Sequence, residues 1–222
     1  MRIALLGGTG DIGEGLALRW AYDSDHEVLI GSRDPARART KAEEYETELD
    51  SRGREVTVKG FVNEMAADRA DVIVLAVPPY HVADTVESVA DKLDDEDVLV
   101  TPATGMKRDE DGFHYHRPSA GSVTALAVEA APDDVPVVGA FHNLPAGRLA
   151  DLDAELGIDT LLVGDDEDAK ETVRLLAEEI EGLRVLDAGG IANAPEIEGV
   201  TPLLINVASN NDDLHDLGIR FT

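Results

Sequence analysis

The sequence predicts an α/β fold, a doubly wound parallel sheet with a smaller α/β domain behind it. Three observations point there. Short apolar runs alternate with helix-forming stretches of about 10 to 15 residues, the pattern of βαβ units. The first run ends in a glycine-rich turn, LLGGTGDIG, that opens a helix. The strongest run, DVIVLAV at 71–77, is continuously apolar, as a strand buried on both faces must be.

The elements follow in order. Arg2–Leu6 (RIALL) is the first strand, stopped by Gly7-Gly8. Ile12–Ala21 places Ile12, Leu16, Ala17 and Trp20 on one helical face. Glu27–Ile30 is the second strand, and Ala36–Asp50 is rich in helix formers. Glu55–Lys59 alternates like a strand, and Asn63–Asp68 suits a short helix. Asp71–Val77 ends at Pro78-Pro79, Val82–Leu93 is helical, and Asp97–Thr101 is a strand stopped by Pro102. A helix over Ser119–Ala131 leads to a sixth strand, Val135–Phe141.

After Pro145 the pattern changes. A strand is expected at Thr160–Val163, then a helix at Glu167–Ile180 capped ahead by Asp165 and Asp166, then a strand at Arg184–Asp187. NAPEIEGVTPLLINVAS reads as a helix kinked before Pro202. The boundary is set near Phe141–Ala146. Residues 1–145 form a dinucleotide-binding domain, and residues 146–222 a small C-terminal domain.

Composition narrows the function. Forty-six acids against nineteen bases give a formal net charge of −27 over 222 residues, with the acids scattered along the chain. Such self-repulsion is tolerable where concentrated salt screens it within about 3 Å, so the surface reads as that of a halophile's cytoplasmic protein. Nucleic acid is excluded as a partner because phosphate contacts need a basic face. No apolar run approaches the roughly 20 residues of a membrane helix. With no cysteine, disulfides and thiolate metal sites are excluded.

Gly8, Gly10 and Gly13 fall on the GxGxxG spacing between a strand and a helix, the context this motif requires. Gly8 permits the tight turn, Gly10 lets the backbone approach a pyrophosphate, and Gly13 lets the helix pack close. This is the Rossmann-type arrangement. An NAD site carries an acid about 20 residues on, at the end of the second strand. Here that place holds Ser32 and Arg33, with Arg37 one turn later, a hydroxyl and two guanidiniums suited to a 2′-phosphate. NADP is therefore expected rather than NAD.

The reacting end should lie beyond the strands' carboxyl ends, in AVPPYH, TPATGM and FHNLPA. His142 is either a hydrogen-bond donor to a ring carbonyl or a satisfied strand-end histidine. His81 is expected to start the following helix. His114 and His116 have an HxH spacing without a third ligand at a recognisable interval, so no metal site is expected. No motif argues for hydrolysis.

RIALLGGTGDIGEGLALR, IGSRD, GAFHNLPA and DAGGIANAPEIEGVTPLLINVA with LGIRF near the end resemble the F420:NADP oxidoreductases, the NADPH-dependent coenzyme F420 reductases of archaea, along nearly the whole chain. The acidic composition would make this a haloarchaeal-type member. The resemblance implies direct, reversible hydride transfer between reduced coenzyme F420, an 8-hydroxy-5-deazaflavin, and NADP. It implies a homodimer without metal and without a catalytic side chain. By motif, Thr9, Gly10, Asp11 and Ile12 would line the pyrophosphate, and Ser32, Arg33 and Arg37 the 2′-phosphate. Val77, Thr104, Met106 and Ala146 would lie along the nicotinamide half, and His142 and Leu144 would border the deazaflavin. Two readings compete. An imine or keto-acid reductase would share the N-terminal half but usually needs a long helical dimerisation domain. An NADP-sensing module would need no second ring pocket.

Overall fold

The computed structural model describes residues 1–222. The N-terminal half runs β1 (Arg2–Leu6), α1 (Asp11–Asp23), β2 (Glu27–Ser32), α2 (Pro35–Ser51), β3 (Val58–Val62), α3 (Asn63–Ala67), β4 (Val72–Leu75), α4 (Val82–Val89) and β5 (Val98–Thr101). A hairpin of β6 (Met106–Asp109) and β7 (Gly112–Tyr115) follows, then α5 (Val123–Ala130) and β8 (Val137–Ala140). Beyond Pro145 come α6 (Ala146–Ala150), β9 (Ile158–Gly164), α7 (Glu167–Glu178), β10 (Leu183–Asp187), α8 (Ala194–Glu198) and α9 (Val200–Ser209).

Eight strands make one sheet in the order β10-β9-β8-β5-β4-β1-β2-β3, and β6 and β7 pair separately. The order reverses between β1 and β4, which opens the crevice that dinucleotides occupy in such sheets. Within the eight-stranded sheet every pair is parallel except β8 with β9, where Val138 faces Gly164. The last part of the chain thus extends the same sheet through β9 and β10. Where β8 ends, the chain's own tail takes over. Asp159 N–H donates to Ile219 C=O, and the buried Asp159 carboxylate holds the Arg184 guanidinium at 2.8 and 2.7 Å.

Alternation along β1 divides the core. Ile3 and Leu5 join a cluster with Leu16 and Trp20 of α1, Leu49 of α2 and Val173 of α7. Ala4 and Leu6 face the other way, toward Val82 and Val86 of α4 and Val123 of α5. Each face is covered by helices, so the strands carry almost no polar residues. Trp20 ties distant segments together. Its indole N–H donates to Leu176 C=O at 2.8 Å, and its ring meets Phe141 edge-to-face at 5.7 Å.

Some expected bounds shift for local reasons. The third strand starts at Val58 rather than Glu55, because pairing with β2 fixes Val28 opposite Val58 and Ser32 opposite Val62. The helix expected from Ser119 begins at Val123, where Ser122 caps it by accepting from Ala125 N–H. The expected kink near Pro202 lies at Gly199, which separates α8 from α9. Pro202, three residues on, has no N–H to donate back to Glu198 C=O. The hairpin β6–β7 was not expected at all.

Candidate active site

A cleft of about 650 Å³ lies beyond the carboxyl ends of β1, β2 and β4. Its lining includes Gly7, Thr9 and Gly10 of the first loop, Ser32 at the end of β2, Arg33 and Arg37 after it, and Val77 and His81 after β4. The structure therefore gathers Thr9 and Gly10 of the glycine motif with Ser32, Arg33, Arg37 and Val77 around one space, and adds His81 to them.

The turn differs in detail from the sequence expectation. The left-handed residue is Gly7 (φ 81°), not Gly8. Gly8 is required for close packing, since a Cβ there would lie 2.9 Å from Leu5. A Cβ at Gly13 would lie 2.7 Å from the Cα of Gly8, so glycine lets α1 press against the loop. At Gly10 a Cβ would meet nothing nearer than 3.6 Å within the protein. Its missing side chain leaves room on the cleft side. Gly10 caps α1 with no side-chain acceptor. The first-turn amides of Asp11, Ile12 and Gly13 thus have no intrahelical partner, and an anion can satisfy them. Tyr45 pins the loop from behind, its hydroxyl donating to Gly8 C=O at 2.8 Å. Burial raises the Tyr45 phenol well above its ordinary value, so it keeps the proton it donates.

At the end of β2 the N-terminus of α2 is already satisfied, because Asp34 accepts from Ala36 and Arg37 N–H. Ser32 Oγ accepts from Asp34 N–H. Arg33 and Arg37 are exposed, and neither guanidinium makes an ion pair, whereas most other arginines are committed to a carboxylate or a backbone carbonyl. In a chain carrying −27, two unclaimed guanidiniums beside free helix amides fit a phosphorylated ribose and a pyrophosphate.

The other predicted residues lie outside this cleft's lining. Thr104, Thr201 and His142 form one chain of contacts. The Thr104 and Thr201 hydroxyls are 3.3 Å apart, and Thr201 donates to the His142 carbonyl at 2.7 Å. This brings the loops after β5 and β8 against the start of α9. Leu144 is buried nearby in sequence, and Ala146 opens α6, which packs on α1 through the close approach of Leu149 to Gly15. Met106 is the first residue of β6 and is 38% exposed. His114 sits beside Asp109 at 3.1 Å within the hairpin. No group of three or more His, Asp or Glu side chains is close enough to hold a metal ion.

The loop after β8 is strained and tied to its neighbours. Phe141 holds φ 68°, a conformation that costs on the order of 1 to 3 kcal/mol for a bulky residue. It is fixed by Trp20 and by its N–H, which donates to Thr160 Oγ1. Asn143 ties the next turn to β9 by donating to Asp159 C=O at 2.7 Å. Between these anchors His142 is 5 % exposed, and neither ring nitrogen has a partner. Burial pushes its imidazole down to about 3, so the ring is neutral near pH 7. Orphaned donor and acceptor atoms in one buried ring are what a ligand's polar edge would satisfy.

Two residues here escaped sequence reasoning. Thr201 links the two ring-side loops. Glu198, with no exposure, accepts from Tyr115 Oη–H (2.9 Å), Val123 N–H (3.0 Å), Thr124 N–H (2.9 Å) and Thr124 Oγ1–H (3.0 Å). It fixes α5, the hairpin and α8 to one another. Burial raises its carboxyl more than the four donors lower it.

Residues 2–105 match the family model described as NADP oxidoreductase coenzyme F420-dependent. An F420-dependent NADP reductase of Methanothermobacter thermautotrophicus is 38% identical, covering 100% of this chain and 95% of its own. One from Methanocaldococcus jannaschii is 36% identical, covering 93% and 92%. Among solved structures, an Arthrobacter protein described as an F420-dependent NADP-reductase superposes with TM-score 0.80 at 22% identity, over 100% of this chain and 99% of its own. A pyrroline-5-carboxylate reductase from Coxiella burnetii shares the fold with TM-score 0.57, but only 58% of that chain is covered. The chain belongs to the F420-dependent NADP reductases.

Proposed function

We propose that the protein carries out the exchange its family is named for, moving a hydride between coenzyme F420 and NADP, with the phosphorylated adenosine half of NADP in the β1–β2–β4 cleft. The observation that carries this is the pair of unpaired guanidiniums, Arg33 and Arg37, beside the uncapped start of α1. Bound together, the two ring systems supply the chemistry, a direct hydride transfer that needs no protein acid or base.

The protein's part is placement and exclusion of water. The amides of residues 11–13 hold the pyrophosphate, while Ser32, Arg33 and Arg37 hold the 2′-phosphate. Val77 and Pro78 direct the nicotinamide half toward Thr104 and Ala146. The strained Phe141 turn presents the neutral His142 and Leu144 to the deazaflavin, and Thr201 holds the His142 backbone in place. On this reading residues 1–145 bind NADP and residues 146–222 complete the ring pocket.

The same reading includes a homodimer in the cytoplasm of a halophile. The apolar helix α9 lies against β7 and α8 on one side only, leaving Leu203 59% exposed with Val207 beside it. Leu203→Glu should yield a monomer in sedimentation, and an unchanged mass would remove this interface. For the activity, the visible absorbance of oxidised F420 should fall when protein and NADPH are mixed in molar KCl, and fall far less with NADH. No loss with NADPH at any salt concentration would overturn the assignment.

A further inference from the structure

One buried polar group in the cleft has no task within the protein. Asn63 follows β3, lines the cleft and is 6% exposed. Its Oδ1 is sealed from solvent and has no hydrogen-bond partner, although Ser32 Oγ and the Arg37 amide close by are both engaged. Leaving such an atom unpaired is costly, so a buried orphan in a ligand cleft calls for a partner from outside the protein.

The position of the carboxamide indicates which part of a ligand that is. A Cβ added at Gly31 would lie 3.0 Å from Asn63 Oδ1. Gly31 immediately precedes Ser32, and β2 and β3 are in register there, with Ser32 opposite Val62. The end of β2 is where the adenosine ribose of a dinucleotide lies in this sheet topology. Glycine at 31 leaves the space that brings the carboxamide against that strand end. In NADP the 2′-oxygen of this ribose carries the phosphate and the 5′-oxygen the pyrophosphate. The sugar retains one free hydroxyl, at the 3′ position. A hydroxyl both donates and accepts, and a carboxamide offers one acceptor and one donor group.

We propose that Asn63 is a binding residue for the 3′-hydroxyl of the NADP adenosine ribose, completing a sugar site of which Ser32 and Arg33 hold only the phosphate. This rests on the reading that the cleft takes the adenosine half of NADP. It separates two functions along one wall: the guanidiniums select the phosphate, and the carboxamide fixes the sugar that carries it.

The test is calorimetric titration of 2′,5′-ADP and of its 3′-deoxy analogue into the full-length protein at fixed salt. The proteins compared are wild type, Asn63→Ala, Asn63→Ser and Arg33→Ala. Loss of the hydroxyl's hydrogen bond should weaken 2′,5′-ADP binding about tenfold in Asn63→Ala, and removing the 3′-hydroxyl should weaken wild type by about the same factor. The two changes together should cost no more than either alone. Additive losses, or affinities within twofold of wild type in Asn63→Ala, would overturn the proposal even if Arg33→Ala binds weakly. Should Asn63→Ala not fold, Asn63→Ser gives the same comparison with a shorter polar group. If wild type fails to bind 2′,5′-ADP, or Arg33→Ala binds it as well as wild type, the cleft reading itself falls, and this proposal with it.

Discussion

Acidification should expose the burial of His142 as a loss of stability. The folded imidazole is held near 3 by burial, while a free imidazole titrates at 6.5. Because the folded value is depressed, the contribution is fully present above the unfolded value and is lost as pH falls toward the folded one. Between those values the unfolded chain binds a proton that the native one refuses. At about pH 5 the solution lies about 1.5 pH units below the free value, and each unit is worth about 1.4 kcal/mol. The loss from this one side chain is therefore about 2 kcal/mol between about pH 7.5 and pH 5. Carboxylates held low, such as Asp159 and Asp71, add losses only at more acidic pH. The assay is urea unfolding of wild type and His142→Asn at both pH values in the same salt. The variant should lose about 2 kcal/mol less than wild type across that interval. Equal pH dependence in the two proteins would refute the claim that the ring is buried and neutral.

Two further outcomes follow from the same geometry. Arg33→Ala removes one charged fork from the phosphate end and should weaken NADPH about tenfold while leaving NADH nearly unchanged, read as KM for each cofactor. Equal losses would detach Arg33 from the 2′-phosphate. Glu198→Gln replaces one acceptor oxygen by an amide and turns it toward existing donors. Relief of the buried charge offsets part of that cost, so unfolding should become easier by about 2 kcal/mol, and an unchanged denaturation midpoint would remove the structural role given to this carboxylate.

The first βαβ unit was legible because its signals are local. The run RIALL, the glycines at 8, 10 and 13 and the SRD that follows the second strand each dictate a backbone or a charge within a few residues. Even there, glycine spacing pointed to Gly8 for the turn, whereas the left-handed residue is Gly7, where a Cβ would lie 2.5 Å from Ala76 C=O. The hairpin β6–β7 was hidden by MKRDEDGFHYH, whose charges suppress any apolar alternation. Its Asp111-Gly112 pair was the turn signal available. The ring side was the least legible. The strained Phe141 packs against Trp20, more than a hundred residues away, and no local pattern encodes that contact. Glu198 was lost among 46 acids, although its place in the apolar setting APEIEGV was a hint. Thr201 and Asn63 gain their meaning only from neighbours that the sheet brings together.

The central claim is that hydride passes directly between two coenzymes that the protein merely holds in place. The most direct test is to reduce F420 with NADPH deuterated at the transferable position, in ordinary water, and weigh the product by mass spectrometry. The account predicts that the reduced deazaflavin carries the deuterium without dilution by solvent. Hydrogen derived from water in its place would contradict direct transfer and require a protein group in the chemical step.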